Sequence, residues 1–281
     1  MKRTAIAILI AVLVVAIGGA LVFAGLSAVR YDLTKLDRTE YMTNTHSMGM
    51  VNAIDVQCKT ADVELVAGGE ADCKVVCFEN DREKYAVDAV DGTLVIRSES
   101  NKTRWSLFGF GFKSPKITIY LPAGTYALLK AEMDTGDLTA DRALSFDAVE
   151  AVLGTGDMTM SGVKAGTLTA HGSTGDICLS DMTLTTVDVS VSTGRIDLVN
   201  VVCSGDLIAK TTTGDIRLTD VDGANVYLSA TTGDITGTIR TEKVFSARTS
   251  TGDVSVPAAT AGGRCEAQTS TGDIRLSISG K

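Results

Sequence analysis

Proline and histidine are scarce in this chain of 281 residues, at three and two, and there is a single tryptophan. With only His46 and His171 present, the composition argues against His-based catalysis and His-rich metal sites. Positive charge is also in deficit. Lys and Arg number 26 against 34 Asp and Glu, a net charge of −8, so the basic footprint that nucleic-acid binding requires is missing. Hydrophobic residues are nonetheless 44% of the chain and charged residues 21%, enough to bury a core rather than stay disordered. Glycine, at 28, is plentiful.

Lys2 and Arg3 precede an uncharged, largely apolar run from Ala5 to Leu26. At about 1.5 Å of helical rise per residue it matches a hydrocarbon core of roughly 30 Å. A signal-peptide core is typically shorter, about 7–15 residues, so residues 1–29 read as a cytoplasmic tip and an uncleaved signal-anchor transmembrane helix. A cleavable signal peptide ending near Gly25, Leu26 and Ser27 is the alternative. This expectation places the protein in the cell membrane, single-pass, with the bulk of the chain extracytoplasmic. Residues 30–50 show no sustained period and read as a tether.

An exported chain with six cysteines invites a disulfide framework, but the spacing does not support one. Cys73 and Cys77 lie four apart in a strand-like run, roughly 13 Å at about 3.3 Å per residue, beyond disulfide reach. Cys58, Cys178, Cys203 and Cys265 are scattered, so the thiols read as free or buried.

The dominant feature is a repeat. Thr-Gly recurs at Gly136, Gly156, Gly175, Gly194, Gly214, Gly233, Gly252 and Gly272, spaced by 19 or 20 residues. Asp follows seven of these glycines, as Asp137, Asp157, Asp176, Asp215, Asp234, Asp253 and Asp273; Arg195 stands in the fourth copy. Two residues after each Gly comes an apolar side chain, such as Met158, Ile177 or Ile196. Seven and five before it come others, such as Leu168 and Ala170. This alternation places one strand before the turn and one after it, each with an apolar face.

A unit of 19–20 residues cannot bury that face alone, so copies must stack, with equivalent strands about 4.8 Å apart. The predicted fold class is all-β: a single-stranded β-solenoid of about 19–20-residue turns, preceded by the transmembrane helix. Gly suits the turn, and the Asp after it can accept local backbone N–H groups. Residues 129–281 carry the regular repeat. Residues 51–128 carry irregular turns, with Thr60-Ala61-Asp62 as a degenerate copy and Gly92 as another turn. The last strand, Asp273 to Ser279, is expected to be an uncovered edge open to self-association at a solenoid end.

The chain resembles the bacterial DUF4097 β-strand repeat proteins, labelled putative adhesins, over about residues 51–281. The resemblance rests on the Thr-Gly-Asp repeats, the strand Ile117 to Pro122 leading into Ala123 and Gly124, and the aromatic stretch before it. It implies an extracytoplasmic, membrane-tethered β-solenoid and carries no catalytic residues with it.

Two features invite a functional reading. The stacked Asp residues would form a ladder along one edge, read as backbone caps in preference to a Ca²⁺ column, which Arg195 would interrupt. Its carboxylate spacing also matches a retaining glycosidase at about 5–5.5 Å, but stacking alone produces that separation. The loop 102–113 gathers Trp105, Phe108, Phe110 and Phe112 among basic residues and reads as a contact loop or a cover for the solenoid. No residue is assigned to catalysis, metal or cofactor. The function expected is that of a binding or structural module, adhesin-like, with an unknown extracellular or envelope protein or polymer as ligand. The alternatives are a cell-envelope stress-response accessory protein that contacts other membrane proteins and, less favoured, a polysaccharide-active β-helix enzyme.

Overall fold

The computed structural model describes residues 18, 19, 23, 27, 40–68, 71–99 and 114–279. The segment read as a signal anchor lies outside the described residues except for Gly18, Gly19, Phe23 and Ser27, which are helical; the loop 102–113, read as a contact loop, lies outside them altogether. Among the described residues no helix is long and apolar enough to cross a membrane. The chain divides into two units, and the larger, Tyr41–Asn101 with Ser114–Lys281, carries the repeat.

The architecture of this unit is set by the repeat. One coil consists of an incoming strand, Lys164–Thr174, a corner at Gly175, and an outgoing strand, Ile177–Leu184. Incoming strands pair in parallel with incoming strands, so Leu168 lies between Val149 and Val187. Outgoing strands do the same, and Ile177 lies between Met158 and Ile196. The in-register stacking read from the sequence is therefore present, and it builds two walls. Val149, Leu168, Val187, Leu207 and Val226 face Met158, Ile177, Ile196, Ile216 and Ile235 across a dry interior, all buried. Each such side chain contributes about 1.5–3 kcal/mol by leaving water. The column of Ala131, Ala151, Ala170, Ala209 and Ala267 is buried among them.

The ends depart from simple succession. The last coil is not terminal: Gly263–Thr271 pairs with Asn225–Thr232 on one side and with Lys243–Thr251 on the other. Ile274–Ile278 is likewise enclosed between Ile235–Ile239 and Val254–Ser255. This corrects the expectation of a free edge at Asp273 to Ser279. The open edge belongs to the Gly252 coil, where Val254 is 45% exposed although its equivalents Ile235 and Ile274 are at 0%. At the other end the same inversion occurs. Ala53–Thr60 sits between Thr93–Glu99 and Thr125–Thr135, so the first coil is covered by the second.

Two further readings of the N-terminal region are corrected. Gly92 does not form a solenoid corner. Asp91 and Gly92 both have positive φ, 50° and 76°, the requirement of a tight two-residue hairpin turn, and Lys84–Val90 folds back antiparallel on Thr93–Glu99. Within the stretch read as a tether, Tyr41–Gly49 is a strand paired antiparallel with Cys73–Asn80. The Tyr41 ring stacks on Phe78 with centroids 4.7 Å apart. The Cys73 strand also runs antiparallel to Lys116–Leu121, so antiparallel pairing closes this end.

All six cysteines are free thiols. Burial pushes Cys58, Cys77, Cys203 and Cys265 up to about 12 and Cys73 up to about 11, where no thiolate forms at neutral pH. Cys178, on the outer face of the outgoing wall, is only half-buried. Titrating the native protein with an aromatic disulfide reagent is expected to modify one thiol quickly and six after denaturation; prompt reaction of two or more native thiols contradicts this packing.

Candidate binding surface

The corner column is built from the Gly-Asp pairs. The rung glycines have φ between 129° and 148°, a region open to Gly and strained for residues with a Cβ. Each faces the carbonyl of the rung beneath, and a Cβ on Gly175 would run into the Gly156 oxygen. The Asp side chains cap backbone donors, but those of the neighbouring coil rather than of their own turn. The N–H of Asp157 donates to Oδ1 of Asp137 at 2.8 Å, and that of Asp176 to Asp157 at 2.8 Å. The column continues through Asp234, Asp273 and Asp253, in the inverted order of the last coils. It begins with Asp62, which accepts from the N–H of Asp137, so Thr60-Ala61-Asp62 is a genuine rung.

Arg195 keeps its own N–H on Asp176, at 2.7 Å, and pairs its guanidinium with Asp176 and Asp197 at 3.0 and 2.6 Å. Replacing one carboxylate by a cation also offsets the mutual repulsion of the stack. The backbone N–H of Asp253, assisted by Arg275, holds the Asp273 carboxyl below the usual carboxylate range. Since every Oδ1 of the column except that of Asp253, at the open edge, accepts from the next coil, the ladder is cohesive. Among the described residues no three His, Cys, Asp or Glu side chains gather into a metal-sized cluster. Asp157→Ala is expected to cost about 1–2 kcal/mol in urea denaturation, as loss of a charge-assisted hydrogen bond at an exposed site. Asp157→Asn, which keeps the Oδ1 acceptor, should cost less than half of that; equal costs would remove the acceptor role.

A second corner column escaped the reading of the sequence. Asp181, Asn200 and Asp220, each six residues after a rung Gly, adopt φ of 55–56°, which Asn and Asp tolerate best among non-Gly residues. Asn200 donates to Asp181 at 2.7 Å, and Asp220 accepts from Arg240 Nε at 3.0 Å and from Ser279 at 2.8 Å. The available signal was the recurrence of Asp or Asn at that offset in three successive copies.

The outer face of the incoming wall carries a concave surface. A groove of about 510 Å³ is lined by Ile208, Lys210, Tyr227, Ser229, Ser246, Arg248, Glu266 and Gln268. Strand alternation turns these side chains outward, at positions four and six before their rung glycines. Because the Gly272 coil lies between the Gly233 and Gly252 coils, Gln268 stands between Ser229 and Arg248. Its Nε2 donates to Ser229 Oγ at 3.1 Å, and its Oε1 accepts from Arg248 at 2.6 Å. Glu266 is paired with Arg264 at 3.0 Å. His171, farther along the same face, is exposed and bonded to Ser190 at 2.6 Å.

Of solved structures, one from Bacteroides fragilis, named a putative adhesin, matches at 16% identity over 85% of this chain and 97% of that chain, with a TM-score of 0.50. One from Parabacteroides distasonis, named a putative lipid binding protein, matches at 16% identity over 86% of this chain and 98% of that chain, with a TM-score of 0.49. At such identity the likeness concerns the fold alone. No curated protein matches the chain. The family described as Toastrack DUF4097 matches residues 51–257 and 205–281. With the stacked repeat and its corner column in place over that region, the chain belongs to the DUF4097 (Toastrack) family.

Proposed function

We propose that the protein is a non-enzymatic binding and structural module, adhesin-like, displayed outside the cell and tethered to the membrane through its N-terminal segment. The observation that carries this reading is the side-chain groove on the outer face of a regular parallel wall, which offers contacts from side chains on four neighbouring strands. The use of the ladder carboxylates as backbone acceptors supports a cohesive rather than a catalytic role for them. The name of the Bacteroides fragilis neighbour is in keeping with it. In this reading, self-association uses the open edge of Lys243–Thr251.

Cross-linking the full chain on intact cells, followed by mass spectrometry of the captured material, tests the proposal. Capture of wall polymer, matrix or foreign surface molecules supports it. Capture restricted to the cell's own membrane proteins replaces it with the envelope-accessory role, and labelling that reaches the chain only after lysis overturns the display outside the cell.

A further inference from the structure

We propose that the groove on the incoming wall is a binding site for an anionic polysaccharide, with Tyr227 as the sugar platform and Lys210 and Arg248 as the acid-reading groups. This rests on the reading of the protein as a binding module and names the ligand class of that module's groove. Tyr227 is the one aromatic side chain on the outer face of this wall among the described residues, and Ile208 extends it by one rung. A half-buried phenol ring presents a flat apolar surface with a polar rim, which suits the C–H face and hydroxyls of a pyranose.

The charges around it are mixed: Glu266, the cross-strand neighbour of Tyr227, is a carboxylate, while Lys210 and Arg248 are cations. Lys210 and Arg248 have no carboxylate within ion-pair distance among the described residues, whereas Glu266 is already paired with Arg264. On a chain of net charge −8, two cations without a carboxylate partner at the two ends of the groove, with its one carboxylate already paired, favour an anion. Lys210, Ser229, Gln268 and Arg248 form a row along the stacking axis, at roughly 4.8 Å per rung. That spacing is close to the length of one sugar unit, so a chain laid along the row meets a polar or cationic group at each residue. Arg248 is held in place by Gln268, and its free N–H groups form a fork that matches a carboxylate or phosphate. Asp206–Thr213, Asn225–Thr232 and Gly263–Thr271 are paired on both sides, and Lys243–Thr251 is open only at its outer edge. Only the outer edge of Lys243–Thr251 could take an added strand, so within the groove itself recognition falls to side chains.

The test uses the full chain in mild detergent and measures binding of oligogalacturonate, of its methyl ester and of phosphatidylglycerol vesicles. The acid is expected to bind at least tenfold more tightly than the neutral ester and to weaken as salt rises. Lys210→Gln with Arg248→Gln should weaken the acid at least tenfold and leave the ester unchanged. Tyr227→Ala should weaken both, and Arg217→Gln on the other wall should change neither. Equal binding of acid and ester, indifference to the Lys210 and Arg248 changes, or groove-dependent binding of vesicles without oligosaccharide would each overturn the assignment. Failure here with surface molecules still captured on cells removes the saccharide ligand and leaves the binding module standing; failure of both removes both.

Discussion

Gly175→Ala is expected to abolish the cooperative fold or to lower its stability by more than about 4 kcal/mol, the range of the most severe single substitutions. The φ of 132° at this position costs a residue with a Cβ on the order of 1–3 kcal/mol. The larger effect is steric, because the new methyl group would occupy the space of the Gly156 carbonyl. The coils could then keep neither their roughly 4.8 Å spacing nor the hydrogen bond from Gly175 N–H to Thr193. Gly124→Ala is the control: its Cβ would meet nothing within 4 Å and its φ is not left-handed, so a change within about 0.5 kcal/mol is expected. Ala61 shows where the rule relaxes. It stands at a rung position without a positive φ. Equal urea midpoints for Gly175→Ala and the unaltered chain would refute the corner as a stacking constraint.

The second large effect is expected at a buried ion pair that ties the inverted coils together. Lys243, in the outermost coil, places its Nζ 2.7 Å from Asp222 Oδ1, with side chains 5% and 14% exposed. Its aliphatic stem passes Gly263 of the interposed coil; a Cβ there would lie 3.5 Å from the Lys243 stem and would strike the Ala224 carbonyl. Asp222 also accepts from Gly223 N–H at 2.9 Å and Thr241 Oγ1 at 3.0 Å. Asp222→Ala leaves a buried ammonium with no counter-charge and only the Thr241 hydroxyl as acceptor, and should cost about 3–5 kcal/mol. Lys243→Met should cost much less, because the remaining carboxylate keeps its two other donors. The double variant is expected to be more stable than Asp222→Ala alone, and hydrogen exchange should show the loss concentrated in Lys243–Ser255. A double variant no better than Asp222→Ala would mean that no uncompensated charge was involved.

These two sites differ in how far the sequence announced them. The glycine column was legible because stacking repeats the same local constraint eight times, so a backbone requirement becomes a period. Alternation placed Leu168, Ala170 and Ile177 inside, and all three are buried. The left-handed Asp181, Asn200 and Asp220 repeat only three times, and two residue types share the role, which makes their column faint. Gly92 misled because a hairpin turn and a solenoid corner both ask for positive φ; only the strand direction afterwards distinguishes them. Lys243 gave no local signal at all, since its burial depends on Asp222 reaching it across another coil.

The sequence by itself determined the all-β class, the length of a coil, the inward face of each strand and the glycine corners, all of which are properties of one repeat and its immediate neighbour. The tertiary structure alone decided the order of the coils. Chain succession allows the last unit to stack on either side of the one before it, because every rung offers the same backbone ladder and the same apolar face. What breaks that degeneracy is a set of contacts between residues far apart in the chain, such as Lys243 with Asp222 and Ser279 with Asp220. The same order brings Gln268 between Ser229 and Arg248, so the groove proposed as the binding site exists only after the coils have taken their places.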